Sequence, residues 1–117
     1  MAIKLSLNPN ALSAAERDKK VAEGGFGKYY TDHMVVCEWD EKTGWGTPEL
    51  KAYGPITLDP ATAVFHYGQE IFEGMKAYRQ PDGGVALFRP EANAQRFNRS
   101  AKRLALPEIP VATFIET

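Results

Sequence analysis

The sequence predicts an α+β fold, a mainly antiparallel sheet with helices packed on it. Between His33 and Asp40, Val35, Cys37 and Trp39 recur at every second residue in a stretch of strand formers, the period of a half-buried strand. Pro81-Asp82-Gly83-Gly84 separates two further strand candidates and supplies the glycines that a hairpin turn requires. Ala94, Phe97, Ala101 and Leu104 fall at 3-4-3 spacing, which gathers them into one buried stripe of a helix.

In chain order, Asn8 and Pro9 are helix-start signals followed by good helix formers, so a helix is predicted over 8–23. Gly24-Gly25 ends it, because glycine tolerates a left-handed backbone. After the strand over 33–40, Glu41-Lys42-Thr43-Gly44 is a turn and Thr47 to Tyr53 returns as the paired strand, with a short segment over 55–58 behind it. Asp59-Pro60 opens a compact stretch through Gly68. Strands over 74–78 and 85–88 bring the sheet to about four or five strands, the usual number. Pro90 suits a first helical turn, and its helix should run to about Leu104, ahead of Pro107. Asn93, Arg96, Ser100 and Arg103 form a polar stripe beside the buried one. Past Pro110 the chain reads as two turns of another amphipathic helix that stops uncapped at Thr117, the pattern of a truncated chain. The organisation expected is a helical extension over 1–23 and one small domain over 24–117.

Composition narrows the function. A chain of 117 residues suits one domain, and 44% hydrophobic with 25% charged residues belongs to soluble globular proteins. With 14 basic against 15 acidic residues there is no overall field to draw nucleic acid or an anionic bilayer. The lone Cys37 cannot close an internal disulfide, and no His/Cys cluster has zinc-ligand spacing, which points to a reducing compartment, the cytoplasm, and a metal-free fold. There is no signal-peptide run at the N-terminus and no apolar stretch of membrane-spanning length.

Several residues carry two readings. Gly24-Gly25-Phe26-Gly27-Lys28 resembles a phosphate loop, but a P-loop needs wider glycine spacing and a Ser or Thr where Tyr29 stands. His33 and His66 could be acid/base groups, yet neither sits beside a Ser or Cys nucleophile, and a satisfied structural role is favoured. Lys76 could be an amine nucleophile if desolvated, but the pattern Met75-Lys76-Ala77 turns it to the solvated strand face. Phe26, Tyr67 and Phe72 could be core aromatics or could line a pocket for an aliphatic side chain. Arg96 could be a solvated helix arginine or a guanidinium fork for a phosphate.

Read together, Phe26-Gly-Lys-Tyr-Tyr-Thr-Asp-His-Met34, Trp45-Gly, His66-Tyr-Gly-Gln-Glu-Ile-Phe-Glu-Gly-Met-Lys-Ala-Tyr78, Leu87-Phe-Arg-Pro90, Asn93-Ala-Gln-Arg96 and Arg99-Ser-Ala101 resemble, in order, the branched-chain aminotransferases of the fold-type IV pyridoxal-phosphate group. The resemblance runs from about residue 24 to 117, which is far more specific than any single motif. It implies a small N-terminal domain whose active site faces a larger C-terminal domain. It implies that Arg96 takes the position of the cofactor-phosphate arginine, that Phe72 and Phe26 line the substrate side-chain pocket, and that Tyr67 reaches the pocket of a neighbouring subunit in a homodimer.

The implied chemistry is exchange of an amino group between leucine, isoleucine or valine and 2-oxoglutarate, with pyridoxal phosphate as electron sink. Aliphatic substrates have no polar handle, so an aromatic-lined cavity is what would select them, and a bidentate arginine is well suited to a phosphate. The family's catalytic lysine and the acidic partner of the pyridinium nitrogen lie in the C-terminal domain, and no segment here matches either, so the chain alone is expected to be inactive. Two alternatives stand beside this reading. One is another fold-type IV enzyme, a D-amino-acid aminotransferase or an aminodeoxychorismate lyase, against which Phe26-Gly and Thr31-Asp-His-Met34 speak. The other is a non-catalytic interaction module that associates through an exposed apolar face.

Overall fold

The structure, a computed structural model, describes residues 2–117. The fold is mixed α/β, with short sheets and helices, and the chain divides into two compact units, the first ending at Ile56 and the second running Thr57–Thr117.

The first unit contains β1 (Lys4–Ser6), α1 (Ala14–Glu23), β2 (His33–Val36), β3 (Trp39–Asp40), β4 (Gly44–Trp45) and β5 (Glu49–Ala52). The helix begins later than the sequence signals at Asn8 and Pro9 predicted. Asn8 instead makes a turn, its Oδ1 accepting from Asn10 N at 2.9 Å, and the true start is a capping box. Ser13 Oγ accepts from Glu16 N while Glu16 Oε2 accepts from Ser13 N, so two orphan donors are satisfied reciprocally. Ser13 Oγ also donates to Glu16 Oε2 at 2.6 Å, and this bond first, with the one from Ser13 N next, holds the Glu16 carboxyl below its ordinary range. At the other end Gly24 takes a positive φ of 62° and its N–H closes on Lys20 O, as the glycine pair predicted.

The predicted hairpin over 33–53 forms, but in two ladders. β2 and β5 are antiparallel with Val35 opposite Leu50 and Val36 opposite Glu49, whereas β3 and β4 set Trp39 opposite Trp45. Between these ladders Cys37 and Glu38 face Gly46, Thr47 and Pro48, one residue more on the returning side. The buried Pro48 has no N–H to give a ladder, which is a physical reason for the break there. The outer edge of β5 is paired in parallel by β1, an element the sequence pattern did not predict. Ser6 Oγ donates to Glu49 Oε1 at 2.6 Å and Lys4 Nζ approaches the same oxygen at 3.1 Å, and together they lower the Glu49 pKa.

The second unit contains α2 (Ala63–Tyr67), β6 (Ala77–Arg79), β7 (Val85–Leu87), α3 (Pro90–Arg103) and α4 (Val111–Glu116). β6 and β7 form the predicted hairpin, with Gly83 at φ 84° and Gln80 N donating to Gly84 O at 2.8 Å. They remain a separate two-stranded sheet. The single sheet of four or five strands expected from the sequence is therefore corrected to one three-stranded and two two-stranded sheets among the described residues.

Helix α3 starts at Pro90 as expected and buries Ala94 and Ala101 completely. Phe97 meets Phe114 of α4 with ring centroids 5.4 Å apart. Leu104, placed on the buried stripe by its spacing, is instead 39% exposed, because the helix ends at Arg103 and Leu104 serves as its C-cap. Asn98 fastens the segment leading into α4, its Oδ1 accepting from Ile109 N at 3.0 Å and its Nδ2 donating to Ile109 O at 2.7 Å. One side chain thus satisfies both backbone groups of a buried residue.

Candidate functional site

Arg96 lies at mid-length of α3, three residues after Asn93, so the two share a helix face. The loop that meets this face is Phe72-Glu73-Gly74. Arg96 Nε donates to Glu73 Oε2 at 2.7 Å and Arg96 Nη2 donates to Glu73 Oε1, a side-on, bidentate fork. Asn93 Nδ2 donates to Glu73 Oε1 at 3.0 Å and to Gly74 O at 3.1 Å, and Gly74 N completes the set at 3.1 Å from Glu73 Oε1.

The Glu73 side chain is only 3% exposed although it sits at the surface of α3, because its own donors cover it. Those donors, Arg96 first and Asn93 next, lower its pKa from the ordinary 4.5 to about 2, and the carboxylate in turn raises that of Arg96. The Arg96 side chain remains 61% exposed. Its far edge, Nη1 and the second Nη2 hydrogen, has no hydrogen-bond partner among the described residues. Arg96 is also one wall of a cleft of about 290 Å³, lined with it by Ile71, Arg99, Ser100, Arg103 and Leu104. Three guanidiniums on one cleft favour an oxyanion, and an arginine edge with two free N–H groups can hold one.

The three aromatic residues singled out from the sequence are all strongly exposed, Phe26 in the first unit and Tyr67 and Phe72 in the second. The core reading fails for each. Tyr67 closes α2, where Gly68 adopts a left-handed backbone, and the Phe72 ring lies beside the Cα of Gly74, where a methyl group would meet it at 3.5 Å. Phe72 and Arg96 thus flank Glu73, one as its chain neighbour and the other as its ion-pair partner.

The remaining candidates have structural partners. His33 Nε2 accepts from Asn8 N at 2.9 Å, and His66 Nε2 donates to Pro60 O at 2.7 Å. The Lys76 ammonium stands 5.7 Å from the Tyr78 ring centre. Burial pushes the Cys37 thiol up in pKa, away from the reactive thiolate. Among the described residues no group of His, Cys, Asp and Glu could hold a metal, and no helix is long and apolar enough to cross a membrane.

A larger cleft, about 810 Å³, is elsewhere, in the first unit between α1 and the segment 29–33. Its polar walls are satisfied internally: Arg17 Nη2 donates to Leu12 O at 2.8 Å, and Asp32 Oδ1 accepts from Leu12 N at 3.2 Å. The Arg96 cleft is smaller, and Arg96 on its wall keeps N–H donors without a hydrogen-bond partner among the described residues. Sequence reasoning gave Glu73 and Asn93 no role at the site. Asn93 was visible as the i−3 neighbour of Arg96, whereas the loop carrying Glu73 gives no periodic signal.

No family model matches the chain. Curated relatives do. The chain is 55% identical over 114 residues to a probable branched-chain-amino-acid aminotransferase of Streptomyces coelicolor, covering 97% of this chain and 32% of that protein. It is 54% identical to the branched-chain-amino-acid aminotransferase of Mycolicibacterium smegmatis, over 97% of this chain and 31% of the relative. It is 52% identical to the cytosolic enzyme of that name from Saccharomyces cerevisiae, over 80% of this chain and 25% of the relative. The chain therefore spans about a third of the length of the first of these relatives, and its homologues are branched-chain-amino-acid aminotransferases.

Proposed function

We propose that this chain is the amino-terminal part of a branched-chain-amino-acid aminotransferase of the fold-type IV, pyridoxal-phosphate-dependent group. The complete enzyme exchanges an amino group between leucine, isoleucine or valine and 2-oxoglutarate. The observation that carries the reading is identity above half with such enzymes over nearly the whole chain, including the segments that hold Phe26, Tyr67, Phe72 and Arg96.

The residues present fit the cofactor. The exposed Nη1/Nη2 edge of Arg96 supplies directed donors for a phosphate, and Arg99 and Arg103 add positive charge on the same cleft. Bound there, pyridoxal phosphate supplies the electron sink for proton loss at the substrate Cα. The chain's own contribution is binding: Arg96 anchors the phosphate, while Phe26 and Phe72 present apolar walls to a branched aliphatic side chain and keep water from it. Their exposure here suits residues that complete a cavity only against another surface, for which we propose the remainder of the enzyme and, at Tyr67, a second subunit. Proton transfer at the Cα is assigned to a lysine beyond these residues.

The test is amino-group transfer from leucine to 2-oxoglutarate, followed as glutamate formed. The complete protein should turn over and the 117-residue chain alone should not. Turnover by the chain alone, with cofactor added, would place the catalytic amine within these residues and sink the assignment.

A further inference from the structure

We propose that Glu73 is a positioning residue, which clamps the Arg96 guanidinium side-on so that its remaining edge is aimed at the cofactor phosphate; this rests on the reading of Arg96 given above. An arginine on an exposed helix face samples many rotamers, and ordering it at the moment of binding weakens the complex. Here the order is present beforehand. Glu73 takes Nε and Nη2, and Asn93 fixes Glu73 through Oε1 and fixes the loop through Gly74 O. A guanidinium has five N–H donors, so the side-on fork leaves the end-on pair for an anion.

An opposing effect has to be weighed. The Glu73 carboxylate partly neutralises Arg96 and so reduces its attraction for a phosphate dianion. Arg96 keeps its own full charge beside the carboxylate, and the hydrogen bonds that an anchored phosphate accepts depend steeply on the direction of the N–H groups. Orientation should therefore outweigh charge, and the two effects predict opposite results for one substitution. Glu73→Gln removes the charge but keeps shape and one acceptor, so repulsion relieved would tighten cofactor binding and orientation lost would weaken it.

The experiment uses the complete protein carrying this chain, freed of cofactor and titrated with pyridoxal phosphate and, separately, with pyridoxal, which lacks the phosphate. The ratio of the two dissociation constants isolates the phosphate contact. Arg96→Ala should reduce the preference for the phosphorylated form about a hundredfold and Glu73→Gln about tenfold, the scale of lost charge-assisted hydrogen bonds. In the Arg96→Ala background, Glu73→Gln should change it by no more than about twofold, since residues acting through one another are not additive. A second readout needs no substitution: the Arg96 Nε–H resonance of the wild-type protein should be shifted downfield and protected from exchange. A preference unchanged or increased in Glu73→Gln, or an unprotected Nε–H, overturns the positioning role while leaving Arg96 as phosphate ligand. An unchanged preference in Arg96→Ala overturns the phosphate assignment itself, and the positioning role with it.

Discussion

Hydrogen bonds from Arg96 and Asn93 hold the Glu73 carboxyl at about 2 against an ordinary 4.5. A carboxyl whose folded pKa is depressed stabilises the folded loop fully above its unfolded pKa and loses that contribution as pH falls toward the folded one. The docking of Phe72-Glu73-Gly74 on α3 should therefore be insensitive to pH above about 4.5 and weaken progressively from there down to about 2. Carbon-detected titration of the Glu73 carboxyl should show the low midpoint in the wild type and a return toward 4.5 in Arg96→Ala. A midpoint near 4.5 in the wild type would mean that the fork does not persist in solution. At this scale the sequence singled out Arg96 through a resemblance, carried by the compact Asn93-Ala-Gln-Arg96 motif. It could not disclose Glu73, since an acidic residue in a loop gains meaning only from what stands opposite it. The same holds for Phe26, Tyr67 and Phe72: composition allows core or pocket, and their exposure removes the first.

Elements were legible where a local signal sets their boundary. Gly24 ends α1 and Gly83 turns the second hairpin, each with the positive φ that its sequence implied. Competing start signals misled at the other end of α1, where Asn8-Pro9 formed a turn and Ser13 with Glu16 made the cap. Ser13→Ala should cost about 0.5–2 kcal/mol of helix stability, read as faster amide exchange over 14–23 with the strands unaffected. The strand β1 was beyond reach, as three residues show no period and its partner β5 lies far along the chain. Asn98 raises a comparable long-range issue in the second unit. Its paired hydrogen bonds to Ile109 make α4 depend on α3, so Asn98→Ala should lose about 1 kcal/mol per bond and raise exchange over 111–116 before α3 itself is affected. Equal loosening of both helices would show that the Phe97–Phe114 contact, rather than Asn98, joins them.

For the whole chain, surface is the governing quantity. The accessible area is 9421 Å², whereas even two separate compact bodies sharing the mass of 13.0 kDa would expose only about 7,600 Å². Large apolar side chains contribute to the excess. Phe26, Phe65, Tyr67, Phe72, Val85 and Phe88 are all more than 60% exposed, while the buried apolar residues among those described are the small Ala94 and Ala101, with Ile109 and Pro48. Hydrophobic burial is the main term opposing chain entropy, so so little of it predicts marginal stability. Nothing in the composition announced this, because 44% hydrophobic residues serve equally for a closed core or for faces that another surface covers. The 117-residue chain made alone should therefore bind a hydrophobic dye strongly and unfold over a broad, shallow thermal transition. The complete protein should bind little dye and unfold sharply. The dye experiment separates this account from one in which the chain repacks by itself: a dye-silent chain with a sharp transition would mean that these aromatic residues find one another in solution, and the substrate walls proposed for Phe26 and Phe72 would then lose their physical basis.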